Sequence, residues 1–569
     1  MAPTDQLQEV KIMMLHGTAA SEGIGIGKVM LIEEHSLEYT PRTVTDTEAE
    51  SQRFKAAVDA FCYNTEKQAE NLRSSAGEKE AEILEGHIQM MKDPYMCGEI
   101  EKLIDNGQCA EAALEYMCDM FIAMFSAADD ELTKQRAADV RDIKSGVLGI
   151  LLGVNEIKVS DAPKGTVLVA RELTPSVTAG IVKENIAGII TETGGTTSHS
   201  AILARALEIP AVLSVEGVAS SLKNGDTVVV DGSEGAVIVN PDDNTVAEYS
   251  KKRDAFLAER KELENYRGRE TKSASGEVYE LFCNIGKPEH AVKAVDADGE
   301  GVGLFRTEFL FMDRTSIPTE DEQFEAYKKA ALILKGKSLI IRTLDIGGDK
   351  DIPYLGLEKE ENPFMGFRAI RYCLKAILRA SAFGYIKIMF PLITTMDELR
   401  EGKKLVAECK ADLRNMGINF NENIQVGVMV ETASAAVIAD MLAKEADFFS
   451  IGTNDLTGYT MACDRGNNDV SYLYSPLQPS VLRMIKRTIE CGVQNGISVG
   501  MCGEAAANKL MIPLLISFGL TEFSVSAPSV LNVRKIISTW TKEEADKVTA
   551  KVLEMSTQQE IVEYLKSVV

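Results

Sequence analysis

The chain has 569 residues, of which 45% are hydrophobic and 26% are charged, a composition typical of a globular protein. This length is too great for a single ordinary hydrophobic core, so we expect two or more domains. The net charge of −25 argues against nucleic acid and anionic membrane as partners, and no apolar run is long enough to span a bilayer. The amino terminus lacks the charged and apolar regions of a signal peptide, so we expect a cytoplasmic protein without membrane insertion.

The first 245 residues predict one α/β domain that is interrupted by helices. Strand patterns occupy about the first 30 residues and return after about residue 150. From about residue 45 to 151, apolar residues recur at spacings of three and four, and Gly and Pro become sparse, as in amphipathic helices. We therefore predict an α/β domain built from 1–30 and 150–245, and a helical subdomain over 31–149 with about four helices.

One histidine falls in a turn suited to binding anions. The stretch Gly194–Arg205 places His199 just after a glycine pair, at the predicted start of a helix that follows a buried strand. Free N–H groups and the helix dipole favour a phosphoryl group at such a turn, and an imidazole could carry it covalently. A histidine near a helix start is also often a capping or surface residue, so the motif alone leaves both roles open. His87, within the helical subdomain, is by default a core or surface histidine.

The second half of the chain predicts a barrel. Residues 246–271 are rich in charge and free of proline, which indicates a helical linker. Over 272–569, strand and helix patterns alternate eight times, which predicts a (β/α)8 TIM barrel, with a doubly wound open sheet as the rival fold. The predicted fold class is thus multidomain α/β: an α/β domain with an inserted helical subdomain, a helical linker and a carboxyl-terminal barrel.

Polar side chains follow the predicted barrel strands at their carboxyl ends, where barrel enzymes carry their chemistry. Arginines bind phosphate and carboxylate groups through paired donors, and two carboxylates suit a Mg²⁺ that is completed by substrate oxygens. A single Arg at a strand end is more often a structural ion pair than a ligand, but agreement among five strand ends favours one site. Cys502 alone fits either packing or proton donation. The strand-end residues include Arg306, Glu308, Arg342, Asp345, Glu431, Asn454, Asp455 and Cys502.

Taken together, the motifs resemble a known family. The segment 194–205 is similar to the phosphohistidine motif of the phosphoenolpyruvate-utilising enzymes. Further segments resemble the Enzyme I family of the bacterial sugar phosphotransferase system, and the resemblance covers essentially the whole chain. These segments are 303–311, 342–350, 427–432, 451–457, 464–467 and 500–504.

This resemblance implies a phosphoenolpyruvate–protein phosphotransferase that starts sugar uptake. Phosphoenolpyruvate and Mg²⁺ would bind in the barrel, and His199 would accept the phosphoryl group and pass it to a histidine of the carrier protein HPr. HPr would dock on the helical subdomain, the barrel domain would form a homodimer, and Cys502 would protonate the pyruvate enolate. Matching the motifs implies substrate binding by Arg306, Arg342, Asn454, Arg465, Lys350 and Arg368, and metal binding by Glu431 and Asp455.

Two positions depart from the family pattern. Thr196 stands where the family usually has Arg, which shifts stabilisation of a phosphorylated His199 toward Arg205 and backbone donors. Gly458 stands where Gln is common, and we have no physical account of that change.

Two other functions stay open. One is a phosphoenolpyruvate synthase or pyruvate phosphate dikinase, which would need a nucleotide-binding domain; the chain has no Gly-rich loop followed by Lys to supply one. The other is a non-catalytic regulator that docks HPr. The complete set of strand-end residues argues against a regulator of this kind. Because His199 and the barrel lie in separate predicted domains, the main interpretation predicts a large swing of the 1–245 half about the linker.

Overall fold

The computed structural model describes residues 13–32, 37–75, 78–127, 131–154, 159–178, 180–195, 198–312, 314, 316–345, 373–464 and 468–569. The chain divides into two compact units, Met1–Arg260 and Lys261–Val569. Within the described ranges, we find no helix that combines the length and the apolar character needed to cross a membrane.

A mixed sheet forms the centre of the first unit. Its eight described strands lie in the order β1-β8-β7-β3-β4-β5-β6-β2, and β3 pairs in parallel with β4 and antiparallel with β7. The sequence explains these strands, because runs of Val, Ile and Leu fit a pleated surface that is covered on both faces. The strands are β1 Met13–His16, β2 Thr18–Ser21, β3 Ile24–Ile32, β4 Thr166–Ala170, β5 Ile186–Thr191, β6 Ala211–Leu213, β7 Thr227–Asp231 and β8 Ala236–Val239.

The sheet is curled tightly enough for strands that are not neighbours to touch. A Cβ added to Gly25 in β3 would lie 1.9 Å from the carbonyl oxygen of Ala187 in β5, although β4 stands between these strands. A Cβ on Gly188 would likewise lie 2.9 Å from the Val230 side chain in β7. Glycine is therefore required at Gly25 by the close approach of another backbone and favoured at Gly188 by the close approach of a side chain.

Helices interrupt this sheet between β3 and β4, as the sequence pattern predicts. The described residues there contain five long helices rather than about four, and they enclose their own apolar core. His87 is fully buried, with its ring nitrogens 3.5 Å from an Asp139 oxygen and 3.7 Å from an Asp142 oxygen. His87 is thus a core residue. The helices of the first unit are α1 Thr47–Ser75, α2 Glu78–Met91, α3 Pro94–Asp105, α4 Ala110–Ser126, α5 Glu131–Leu152, α6 Pro175–Thr178, α7 His199–Leu207, α8 Val218–Ser221 and α9 Asp243–Glu264.

Helix α9 covers most of the region predicted as a linker. None of its residues is buried, and its sequence is dominated by charged side chains. Arg260 on α9 and Lys183 both form ion pairs with Glu208, which ends α7 with a left-handed backbone. Exposed pairs of this kind contribute little to stability.

Eight parallel strands of the second unit close into a barrel. Each described strand pairs with the next along the chain, and β16 pairs with β9 to complete the ring. A TIM barrel was predicted over this region and is confirmed. The strands are β9 Glu280–Ile285, β10 Gly301–Arg306, β11 Ser338–Arg342, β12 Ile386–Phe390, β13 Val426–Val430, β14 Phe448–Ile451, β15 Ser498–Met501 and β16 Glu522–Val525.

The helices of the barrel begin at sequence-encoded caps. At four of them the side chain of a threonine cap accepts a hydrogen bond from the backbone N–H three residues later. The Glu side chain at that later position accepts a hydrogen bond from the backbone N–H of the threonine, so two free donors at the start of the helix are satisfied. The described helices are α10 His290–Asp296, α11 Glu320–Leu334, α12 Leu374–Ala380, α13 Met396–Asn415, α14 Ala433–Val437, α15 Ala439–Leu442, α16 Thr453–Met461, α17 Pro479–Gln494, α18 Ile512–Phe518, α19 Val530–Thr539, α20 Lys542–Glu554 and α21 Gln558–Val568.

Side chains alternate between two cores because successive strand residues point to opposite faces. The large core packs between strands and helices, whereas a small cluster that includes Met429, Phe448 and Cys502 fills the barrel interior. Below this cluster, near the amino-terminal ends of the strands, the interior holds buried Glu522 and Lys387. The barrel interior is therefore polar at both ends.

We expect Glu522 to make the barrel less stable as the pH rises. Burial raises its pKa from 4.5 to about 8, against the opposing charge of Lys387. Between these two values the folded state keeps a proton that the unfolded state has lost, so the free energy of unfolding falls with increasing pH. At about 1.4 kcal/mol per pH unit, a Glu522→Gln variant should be more stable than the wild type by about 3 to 5 kcal/mol at pH 8 and similar to it near pH 4. Urea unfolding from pH 4 to 9 measures this; parallel curves for the two proteins would contradict it.

Candidate active site

Arg342 stands at the centre of a charged cluster at the carboxyl ends of the barrel strands. Its Nη2 lies 2.7 Å from a Glu308 oxygen and 2.7 Å from an Asp345 oxygen, and its Nη1 lies 3.5 Å from the Met429 sulfur. Burial opposes its charge, but the neighbouring carboxylates outweigh that effect and raise its pKa. Its Nε is buried and, among the described residues, has no hydrogen-bond partner. This guanidinium is thus held permanently charged, and its Nε–H is left for a ligand.

A second feature of the site is a group of carboxylates. Glu431, directly after β13, is 1% exposed and accepts a hydrogen bond of 2.7 Å from the Leu392 N–H. Burial first, and then the charges of Asp455 and Asp345, raise its pKa well above the ordinary range. A Cβ added to Gly452 would lie 2.6 Å from the second Glu431 oxygen, so the glycine makes room for this carboxylate. The charges of Asp455 and Asp345 thus act on Glu431, but among the described residues no group of three His, Cys, Asp or Glu side chains is placed to hold a metal ion.

Cys502 follows β15 at the same end of the barrel. It is 4% exposed, and burial raises the pKa of its thiol to about 11, with Arg342 and Arg306 acting in the opposite direction. Its carbonyl accepts a hydrogen bond of 2.9 Å from the Asn284 side chain, which fixes the backbone at this point. At neutral pH the sulfur carries its proton, so it suits proton donation better than nucleophilic attack.

The structure brings together six of the predicted site residues. Arg306 ends β10, and its charge acts on Cys502, as do those of Arg342 and Glu431. Asn454 and Asp455 lie in the first turn of α16, and the Asn454 carbonyl accepts a hydrogen bond of 3.0 Å from Tyr474. Three other predicted ligands, Lys350, Arg368 and Arg465, lie outside the described residues, as does Thr196.

The predicted phosphoryl acceptor begins a helix, as expected. His199 is the first residue of α7, whose cap Ser198 accepts a hydrogen bond from the Ala201 N–H at 3.3 Å. Arg205 lies six residues further along α7, about 9 Å in helix rise, and donates to the Ala20 carbonyl. The role of Arg205 beside a phosphorylated His199 stays a prediction.

Sequence reasoning missed the residues that support Cys502. Asn284 on β9 donates a hydrogen bond to the Cys502 carbonyl, and the buried Ser450 hydroxyl lowers the pKa of the thiol. Asn284 interrupts the apolar run Leu281–Ile285 of β9, and this polar position near the carboxyl end of a strand could have been noticed in the sequence. Nothing in the sequence marks Ser450, because serine is common in strands of any role.

Most of the chain is similar to proteins of a known family. Three family models match the chain: "PEP-utilising enzyme, N-terminal" at 16–136, "PEP-utilising enzyme, mobile domain" at 162–235, and "PEP-utilising enzyme, PEP-binding domain" at 260–541. The phosphoenolpyruvate-protein phosphotransferase of Bacillus subtilis (strain 168) is 46% identical over 97% of this chain and 99% of its own length. The chain belongs to the phosphoenolpyruvate-protein phosphotransferase family.

Other relatives of the same name agree with this assignment. The protein of Priestia megaterium is 45% identical and that of Staphylococcus carnosus (strain TM300) 43% identical, each over 97% of this chain and 98% of the relative. The family and the enzyme class that the motifs predict are thus confirmed. The roles of the individual site residues stay predictions.

Proposed function

We propose that this phosphotransferase takes the phosphoryl group of phosphoenolpyruvate onto His199 and then passes it to a histidine of HPr. The observation that carries the proposal is the mouth of the barrel, where Arg342 and Arg306 lie with Glu431, Asp455 and Cys502. Phosphoryl transfer depends on charge neutralisation and positioning more than on covalent machinery, and this cluster provides both.

The arginines would bind the substrate anion. Arg342 is held by Glu308 and Asp345, so its guanidinium is positioned before substrate arrives and loses little freedom on binding. Its buried Nε supplies an unused donor for a phosphate or carboxylate oxygen. Asn454 would contact the substrate at the same mouth, and Lys350, Arg368 and Arg465 would add positive charge.

Glu431 and Asp455 would hold a Mg²⁺. The donor set fits this ion, because the charge of the half-buried Asp455 raises the pKa of the buried Glu431, and a divalent cation would offset that repulsion. A Mg²⁺ held by two carboxylates would take its other ligands from substrate and water. Such an ion would neutralise charge on the substrate oxygens.

Cys502 would complete the reaction. When the phosphoryl group leaves, pyruvate departs as an enolate, and the thiol would donate its proton to the terminal carbon. A thiol that burial keeps protonated to about pH 11 is a competent acid for a strongly basic carbanion. His199, neutral at physiological pH in most environments, would attack the phosphorus without a separate base.

The partners of this reaction are part of the proposal. HPr would dock on the helices α1–α5, and two copies of the barrel unit would form a homodimer. We place the reaction in the cytoplasm.

Labelled phosphoenolpyruvate tests the proposal. With Mg²⁺, the purified protein should acquire an acid-labile, alkali-stable label that is absent from a His199→Ala variant and transferable to HPr. A His16→Ala variant is the matched control, because His16 is exposed on β1, and it should label like the wild type. Equal labelling of the His199→Ala protein would contradict the assignment of the acceptor.

A further inference from the structure

The backbone of Cys502 is held at both its N–H and its carbonyl group. The N–H donates to the Ile451 carbonyl at 3.2 Å, and the carbonyl accepts a hydrogen bond of 2.9 Å from the Asn284 side chain. These partners belong to two other strands, since Ile451 ends β14 and Asn284 lies near the end of β9. The direction of the Cα–Cβ bond that carries the thiol is therefore set from across the barrel mouth.

The orientation of the Asn284 amide is itself fixed by its partners. Its Nδ2 donates to two carbonyls, that of Cys502 at 2.9 Å and that of Ser524 at 3.3 Å, and its Oδ1 accepts from the Ser524 hydroxyl at 2.7 Å. Because a carbonyl can only accept, the amide cannot turn over without placing its oxygen against two other oxygens. Asn284 thus has one stable orientation, and Ser524 holds it there.

The backbone that follows Cys502 lies directly against the start of α16. A Cβ added to Gly503 would lie 1.8 Å from Thr453 Oγ1 and 2.8 Å from the Thr453 backbone nitrogen, so no side chain fits at this position. Helix α16 carries Asn454 and Asp455 in its first turn. The segment that presents the thiol is therefore packed against the segment that presents two other predicted site residues.

The thiol lies in a largely apolar surrounding. Its sulfur is 3.8 Å from the Ile451 carbonyl oxygen, close enough for a weak S–H···O hydrogen bond. A cysteine sulfur has three staggered positions, and this contact favours one of them. Cys502 belongs to a buried cluster inside the barrel whose other members are Leu304, Ile340, Met389, Met429 and Phe448.

We propose that Asn284 is a positioning residue for proton transfer from Cys502, and that its bond to the Cys502 carbonyl decides which face of the enolate the thiol meets. The inference rests on the proposed function, in which Cys502 is the proton donor. In this step the S–H bond breaks and a C–H bond forms at the terminal carbon with the electron pair of the enolate, leaving pyruvate and a thiolate. The thiolate regains its proton from water. Asn284 acts through the backbone of Cys502 and transfers no proton.

The configuration of the product reports this positioning. The terminal carbon of the enolate is planar, so its two faces give different methyl groups when its two hydrogens are replaced by deuterium and tritium. A fixed donor delivers its proton to one face, whereas water protonates a released enolate on either face. A loss of stability lowers the amount of active enzyme but leaves the configuration unchanged, because every folded molecule still protonates the same face.

The experiment is a single turnover with the full-length enzyme and Mg²⁺ in excess over phosphoenolpyruvate that carries deuterium and tritium in one known geometry. The wild type should give pyruvate of one methyl configuration. Asn284→Leu, which has a similar size but no donor, should give both configurations in similar amounts. It should also form pyruvate about 10- to 100-fold more slowly, because a displacement of about 1 Å costs about 100-fold in rate. Ser524→Ala, which removes the donor to Oδ1, should lose part of the selectivity.

Asn495→Leu is the matched control, because Asn495 at the end of α17 donates to the carbonyl of another cysteine, Cys491, at 2.8 Å. It should keep the wild-type configuration, and its loss there would overturn the proposal. One configuration from Asn284→Leu, with mixed configurations from Cys502→Ala, would overturn the role of Asn284 and leave the proposed function intact. One configuration from Cys502→Ala would overturn the thiol as donor and this inference with it. Where Asn284→Leu does not fold, an unchanged configuration in Ser524→Ala overturns the proposal.

Discussion

In an Arg342→Met variant, kcat/KM for self-phosphorylation by phosphoenolpyruvate is expected to fall by about 1,000-fold or more. Arg342 is the buried cation between Glu308 and Asp345, and its removal deletes a substrate donor while leaving carboxylates uncompensated. Breaking a buried pair from one side costs about 3 to 5 kcal/mol, so the barrel unit should also unfold at lower urea concentration. The labelling rate and urea unfolding are measured on the same protein.

An Arg342→Lys variant separates the two effects. Lysine keeps the positive charge and so most of the stability, but it cannot give paired donors in the plane of a guanidinium. We expect stability close to that of the wild type and labelling reduced by about 100-fold. Arg487→Met, which alters an exposed pair with Asp440, is the control and should change neither quantity. Wild-type labelling by both Arg342 variants would show that the guanidinium does not bind substrate.

A Gly25→Ala variant is expected to prevent the first unit from folding while the barrel unit folds normally. The new methyl group would lie 1.9 Å from the Ala187 carbonyl oxygen, a contact that side-chain rotation cannot relieve. The curled sheet would have to open, at a cost that we estimate at more than about 4 kcal/mol. Limited proteolysis should degrade Met1–Arg260 and spare Lys261–Val569, and labelling of His199 should be lost.

Gly98→Ala is the matched substitution for this experiment. Gly98 lies within α3, and nothing lies within 4 Å of its Cβ position, so alanine should stabilise the helix by about 1 kcal/mol. The two variants add the same methyl group in the same unit and should shift its stability in opposite directions. Equal stability of the two variants would contradict the close approach of β3 and β5.

The barrel was predictable because its signals are local. Each strand from β9 to β16 is an apolar run bounded by turns, and strands of a parallel barrel place their carboxyl ends on one face. Polar residues that follow those runs, such as Arg306, Glu431 and Cys502, are therefore gathered by topology alone. Counting helices was less accurate, because α2 and α3 are separated only by a short break before Pro94 that hydrophobic periodicity does not resolve.

The contacts among these residues were not predictable. Pairing of Arg342 with both Glu308 and Asp345, rather than with substrate alone, depends on side-chain directions that no spacing rule supplies. The sequence shows Glu522 as an ordinary strand residue, and only packing places it inside the barrel.

The sequence alone determined the fold class, the family and the residues at the barrel mouth, because hydrophobic periodicity and strand-end chemistry are read along the chain. Only the tertiary structure decided which charges neutralise one another and how far the pKa values of Glu431, Cys502 and Glu522 rise. The physical reason is that desolvation and Coulomb energies depend on distances across the barrel, between residues far apart in sequence.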